Sequence, residues 1–245
     1  MALVNSWEKQ GNFLFKYRGQ FPVLLFVLAI PFLFFTSEIS SEHQLVWNVV
    51  ALSVSIIGFL VRFYTIGTTP KGTSGRNTKE QIADYLNSTG IYSMVRHPLY
   101  LGNYLIWIGI AIFAYNLYFV VIVSLLFWLY YEKIMFAEER FLEKKFGEQY
   151  LKWSEGIPAF IPSCTNYTKT IIPLSVKSIL RREYAGILAT VIGFAFMDVV
   201  RWFVHTDNLN ITPLVKDVLI VTIVLVFVLR SLKHYTNILS EKDRS

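Results

Sequence analysis

Gly90-Ile-Tyr-Ser-Met-Val-Arg-His-Pro-Leu-Tyr-Leu-Gly-Asn103 sets an Arg-His pair directly before an apolar, aromatic-rich helix. Pro98 suits the first turn of that helix, where its missing N–H costs nothing, and the free N–H groups around it make a seat for a carboxylate or phosphate. Tyr92 and Tyr100 flank the pair and supply ring faces and hydroxyls. Taken alone, Arg96 and His97 fit equally well as anchors at a membrane boundary. The choice between site and anchor rests on what surrounds them.

The surroundings are unusually apolar. Hydrophobic residues make up 54% of the 245, aromatics 16% and charged residues only 16%, and the mean hydropathy is +0.45. That balance excludes an ordinary soluble domain and points to a bilayer. The formal net charge is +6, but the basic residues are scattered through membrane-flanking segments rather than gathered in a patch. Anionic lipid headgroups are therefore the expected partner, and nucleic acid is not. Cys164 is the single cysteine among only four histidines, so neither an intramolecular disulfide nor zinc-ligand spacing is available, and no metal site is expected. The opening MALVNSWEKQGNFLFKYRGQ is polar and aromatic, so no cleaved signal peptide is read there.

The expected fold class is all-α, a polytopic membrane bundle of about six spans. They run over about Phe21 to Phe35, Gln44 to Ile66, Pro98 to Phe113, Tyr118 to Met135, Tyr184 to Val204 and Pro213 to Leu232. Only Ala114-Tyr-Asn-Leu117 separates the third from the fourth, which makes them an antiparallel hairpin. Loop charge tests the count. One side collects Lys9, Lys16 and Arg18, then Lys71, Arg76, Lys79 and Arg96, then the region from Lys133 to Arg182, and finally Arg230, Lys233, Lys242 and Arg244. The other has Ser37-Glu-Ile-Ser-Ser-Glu-His43, Tyr115-Asn116 and His205-Thr-Asp-Asn-Leu-Asn210, with no Lys or Arg. Both termini are expected in the cytoplasm, with Arg201 and Lys216 as mild exceptions near the far face.

This orientation disposes of several distractors. Asn87-Ser-Thr89 and Asn166-Tyr-Thr168 face the cytoplasm and Asn210-Ile-Thr212 abuts a helix start, so none is read as a glycosylation site. Gly67-Thr-Thr-Pro-Lys-Gly-Thr-Ser-Gly75 is only superficially a phosphate loop, because Thr73 stands where such a loop has Lys, and it reads as a flexible connection. Asp198 and Arg201, three apart on one helical face, read as a structural ion pair near the far interface.

Beyond the fourth span comes Glu138-Glu-Arg-Phe-Leu-Glu-Lys-Lys-Phe-Gly-Glu-Gln-Tyr150, expected as a separate cytoplasmic surface helix with Phe141, Leu142, Phe146 and Tyr150 on its apolar stripe. Arg96-His97 enters the hairpin and Glu138-Glu139 leaves it on the same face, so basic and acidic groups are brought together. A zwitterionic ligand would suit them.

With these blocks in view, the sequence resembles the isoprenylcysteine carboxyl methyltransferase family, in its bacterial-type members, and the related phospholipid N-methyltransferases. The matching positions are Gly90, Tyr92, Arg96, His97, Pro98, Tyr100 and Gly102, then Glu138, Glu139, Leu142, Phe146, Gly147 and Tyr150, with Ile157-Pro-Ala-Phe-Ile-Pro162 as the closing motif. The resemblance covers about residues 45 to 162, and Ala159 departs from it, since many bacterial members carry Arg there. It implies S-adenosylmethionine as methyl donor and a lipid or lipidated acceptor entering from the bilayer of the bacterial inner membrane. It implies catalytic roles for Arg96 and Glu138, and cofactor contact from Tyr92, His97, Pro98, Tyr100, Gly102, Glu139 and Tyr150. Three segments follow: residues 1–43 with the first span, a methyltransferase-like core at 44–164, and 165–245 with the last two spans.

Two other readings stay open. Sterol reductases share a related Arg-His-Pro-Tyr block but use NADPH, whose 2′-phosphate would need clustered basic side chains, for which Lys144, Lys145 and Lys152 are the local candidates. A non-catalytic membrane protein is the other, although no internal repeat of the kind transporters show is found. Nothing in the loops selects among a prenylated cysteine carboxylate, a phospholipid amine and a thiol as acceptor. The segment Lys71 to Asn87 and the lipid-facing sides of the second and fifth spans are expected to decide it.

Overall fold

Three polar caps and two prolines set where the longest helices begin. Ser40, Asn116 and Ser175 each accept a hydrogen bond from the N–H three residues on, satisfying a donor that the first helical turn leaves free. Pro98 and Pro213 open two further helices. In the computed structural model, which describes residues 2–36, 40–73, 81–242 and 244, the described residues form eight α-helices and no strand. They are α1 (Ala2–Lys16), α2 (Phe21–Phe34), α3 (Ser41–Gly67), α4 (Pro98–Ile112), α5 (Leu117–Phe146), α6 (Glu148–Glu155), α7 (Val176–Thr206) and α8 (Pro213–Tyr235). Glu38, Arg76 and Lys79 of the loop-charge reading lie outside the described residues, as do Ser74 and Gly75 of the glycine-rich connection.

Among the described residues, three helices are long and apolar enough to cross a membrane: Glu42–Gly67 within α3, all of α5 and all of α7. The apolar stretches Val23–Phe34 and Pro98–Ile112 are shorter. At about 1.5 Å per residue, the 15 residues of α4 span only about 22 Å of a hydrocarbon core roughly 30 Å thick.

One sequence expectation changes, and one helix is added to those expected. The charged block after Met135 does not start a new helix, because Ala137 to Phe146 contains neither glycine nor proline and α5 runs through it. The break comes at Gly147, whose φ of 53° is open to glycine at little cost, and the surface helix shrinks to the eight residues of α6. The polar N-terminus also becomes a helix, α1, laid along α5. Gly11 permits that approach, since a Cβ there would lie 2.1 Å from the Lys133 carbonyl oxygen. Tyr130 donates to the Leu14 carbonyl, Lys133 bonds Gln10, and Trp7 packs edge-on to Phe136.

The hairpin of α4 and α5 is present, turned by Tyr115 at φ 58°. Small residues bring α3 against α4: a Cβ on Gly102 would meet the Gly58 carbonyl at 2.9 Å, and one on Gly109 would meet that of Ala51 at 2.5 Å. Close backbone approach of this kind drives helix association where lipid is the solvent. Leu25, Leu33, Ile106, Phe113, Phe119 and Met197 belong to one buried cluster, and Phe15, Tyr100, Phe127, Tyr131 and Ile134 to a second.

The Asp198–Arg201 pair is structural, as expected. Arg201 donates to Asp198 at 2.9 Å and to the Phe113 carbonyl at the end of α4, while Asp198 accepts from the N–H and hydroxyl of Thr212 before α8. One ion pair thus ties two helix ends together.

Candidate active site

The Arg-His block is held by backbone before its side chains do anything. The Arg96 N–H donates to the Pro158 carbonyl at 2.9 Å, that of His97 to Ala159 at 3.2 Å, and Ser163 donates back to Met94 at 2.9 Å. The closing motif therefore runs alongside Met94 to His97, and Ala159 serves through its carbonyl whatever its side chain. Gly90, at φ 62°, pairs with Thr168 in an isolated bridge that ties the later loop to the same block.

The two motif blocks meet. His97 Nε2 lies 2.9 Å from Glu139 Oε1, and His97 Nδ1 lies 3.5 Å from Glu138 Oε2. Arg96 Nε lies 3.1 Å from Glu139 Oε1, and an Arg96 terminal nitrogen donates to the Ser154 carbonyl at 3.1 Å. The Tyr100 hydroxyl donates to Glu138 at 2.7 Å and its ring stacks beside that of His97. Burial would lower the imidazole pKa, but hydrogen bonds and charge from Glu138 and Glu139 outweigh it and hold His97 above its ordinary value. With a carboxylate at each ring nitrogen, only the doubly protonated imidazolium can donate to both.

Arg96, His97, Pro98, Tyr100, Tyr92 and Glu138 line a cavity of about 410 Å³, within the size range of small-molecule sites. Burial and the nearby Glu138 charge push the Tyr92 phenol up to about 12, partly offset by Arg182. Three expected residues are not in the lining. Glu139 stands behind His97, Gly102 faces Gly58 and Arg62 on α3, and Tyr150 is buried on α6. Burial and Glu139 raise the Tyr150 phenol. Its hydroxyl, Trp153 Nε1 and Arg96 Nε are buried with no hydrogen-bond partner, Arg96 Nε being in ion-pair range of Glu139 but misaligned for a bond.

The sequence reading missed other parts of the wall. Phe15 and Arg18 come from the N-terminal segment, Arg62 from α3, Asn103 from α4, and Arg182 and Glu183 from α7. Arg62 makes a bidentate pair with Glu183, both bonds 2.7 Å, and donates to Asn103 at 2.5 Å. Only the intramembrane position of Arg62 could have signalled it, because a charge at that depth asks for a partner. A second cavity, about 180 Å³ and mostly apolar, shares Arg62, Asn103 and Trp107 with the first and is otherwise lined by α2, α3, α4, α5 and α7.

Comparison with known proteins agrees with the resemblance read from the motifs. The protein-S-isoprenylcysteine O-methyltransferase of Schizosaccharomyces pombe is 26% identical over 114 residues, 44% of this chain and 48% of that protein. The enzyme of the same name from Tribolium castaneum is 28% identical over 119 residues, 48% of this chain and 42% of its own. The cobalt-zinc-cadmium resistance protein CzcN of Cupriavidus metallidurans is 34% identical over 82 residues, 34% and 38% of the two chains. The chain thus spans about half the length, or less, of these relatives. No solved structure matches. Residues 1–155, from α1 to the end of α6, match the profile described as protein of unknown function DUF1295, and since these are well over half of the 245 residues, the chain belongs to the DUF1295 family.

Proposed function

We propose that this chain is an integral membrane methyltransferase that uses S-adenosylmethionine and acts on a lipid-soluble or membrane-associated acceptor. The observation that carries this reading is the meeting of Arg96-His97 with Glu138-Glu139 at one cavity, together with relatives named isoprenylcysteine methyltransferases. The donor set suits a zwitterion with an aromatic end. Arg96 and the first turn of α4 fit a carboxylate, Glu138 an ammonium, and Tyr92, Tyr100 and Trp153 a purine ring.

The bound cofactor would supply an electrophilic methyl group on a sulfonium. Such a transfer needs little acid–base help, so the chain's own task is to align the acceptor and exclude water. The two carboxylates keep His97 charged and fixed, and His97 in turn holds Glu138 at the cavity wall with Glu139 behind it. Glu139 and Tyr150 act behind the lining, and Gly102 acts through the α3–α4 crossing. We further propose six spans with both termini cytoplasmic, α2, α4 and α8 crossing with the three longer helices, and residence in the bacterial inner membrane with anionic headgroups around the cytoplasmic rim. The NADPH alternative draws no support from Lys144, Lys145 or Lys152, which lie outside the cavity lining.

Calorimetric titration with S-adenosylhomocysteine and with NADPH tests the reading, on wild type, His97→Ala and Glu138→Ala. The expected result is binding of the first ligand only, weakened in both variants. Unchanged affinity in two folded variants would remove the pocket. Incubating lipid extracts with labelled donor identifies the acceptor.

A further inference from the structure

Arg62 occupies the junction of the two cavities and lines both. Its guanidinium has five N–H donors. Three serve Glu183 and Asn103, which leaves two for a ligand. Asn103 continues the chain of bonds to the Tyr131 hydroxyl at 3.3 Å, and the Tyr131 ring packs 4.7 Å from that of Tyr100, which bonds Glu138. Gly102 belongs to the same device, because a Cβ there would lie 2.5 Å from Arg62 Cγ. Its bare backbone lets the arginine stem cross α4.

The other end of the pair comes from elsewhere in the chain. Glu183 is 1% exposed and sits on α7, beyond residues 1–155 of the family match. Burying two charges costs desolvation that their attraction repays only partly, and apolar residues of similar volume usually serve stability as well or better. A pair placed at a cavity junction therefore calls for a role besides holding α3 to α7.

We propose that Glu183 is a positioning residue: it fixes Arg62 at the junction of the polar and apolar cavities, where the head of an amphiphilic acceptor meets its tail, so that α7 takes part in acceptor selection. This rests on the methyltransferase reading above. It makes the C-terminal helix pair part of the site, with Arg62 presenting its remaining N–H groups to the acceptor head while the tail lies among Phe26, Phe59, Ile110 and Met197.

The decisive variant is Arg62→Met/Glu183→Leu, which removes both charges and leaves none unpaired, so its fold should survive. Glu183→Gln and Arg62→Lys accompany it. The probe is N-acetyl-S-farnesyl-L-cysteine, followed by turnover with labelled donor and by the melting shift it induces in detergent. The proposal expects the KM for the probe to rise about fivefold or more in the double variant while S-adenosylhomocysteine affinity stays within about twofold. A purely structural pair would leave KM and kcat unchanged in the folded double variant, and that result overturns the proposal. Loss of S-adenosylhomocysteine binding in step with turnover also overturns it. If wild type binds S-adenosylhomocysteine but does not methylate the probe, the choice of acceptor fails, and the melting shift still decides: a shift in wild type that is absent from the double variant and reduced in Glu183→Gln supports Glu183, and wild-type behaviour in either variant overturns it.

Discussion

His97 Nε2 and Glu139 Oε1 lie 2.9 Å apart across 42 residues of chain. The α4–α5 hairpin makes this contact, and a second carboxylate on the opposite ring nitrogen turns it into a clamp on the charged imidazole. Because the folded-state pKa of His97 is raised, its contribution to stability is complete below the unfolded value near 6.5 and is lost as pH rises through the folded value. Melting curves in detergent from about pH 5.5 to 9 should show wild type losing stability with rising pH relative to His97→Gln. Parallel curves would contradict the clamp.

Arg96 engages Glu139 and the Ser154 carbonyl while lining the cavity. Lysine keeps the charge but loses the planar fork. If Arg96 seats a carboxylate, Arg96→Lys should weaken S-adenosylhomocysteine binding or turnover by about 1.5 to 3 kcal/mol, roughly 10- to 160-fold. Near-normal turnover, with an unchanged melting curve, would return the residue to the role of interfacial anchor.

Gly102 is tight against both Gly58 and Arg62. Gly102→Ala should destabilise the fold by about 1 to 3 kcal/mol, the usual cost of overpacking. Gly156→Ala, at φ −94° and with nothing within 4 Å of the added Cβ, should stay within about 0.5 kcal/mol. Equal melting temperatures for the two variants would show that the crossing can relax.

Topology is checked by cysteine labelling after Cys164→Ser. Ser40 is exposed just before α3, so a Ser40→Cys variant should react with impermeant reagent only from the side opposite the termini. Reaction from the cytoplasm would overturn the six-span arrangement.

The candidate site was legible where function and sequence spacing coincide. The entry and exit of one short hairpin carry Arg96-His97 and Glu138-Glu139, so their meeting follows from chain order and the shortness of the turn between the two helices. The Asp198–Arg201 pair was legible for the same reason, being one helical turn. Arg62 and Glu183 were not, since 121 residues separate them and only the packing of α7 against α3 makes them neighbours. The role of α1 was hidden too, because its charged and aromatic face becomes meaningful only beside the lower half of α5. The expected break before Glu138 failed for a local reason: a change from apolar to charged composition does not end a helix when no residue disrupts it.

The unbroken course of α5 means that the aim of Glu138 and Glu139 is a matter of phase. Each residue advances the helix by about 100°, so one residue inserted anywhere between Leu117 and Tyr131 would swing both carboxylates by that angle away from His97, and Tyr131 with them, without changing the identity of any residue that lines the cavity. Seven inserted residues would bring them nearly back to the same bearing while raising them about 10 Å along the axis. Register along this one helix, counted from Asn116, decides which way the acids point.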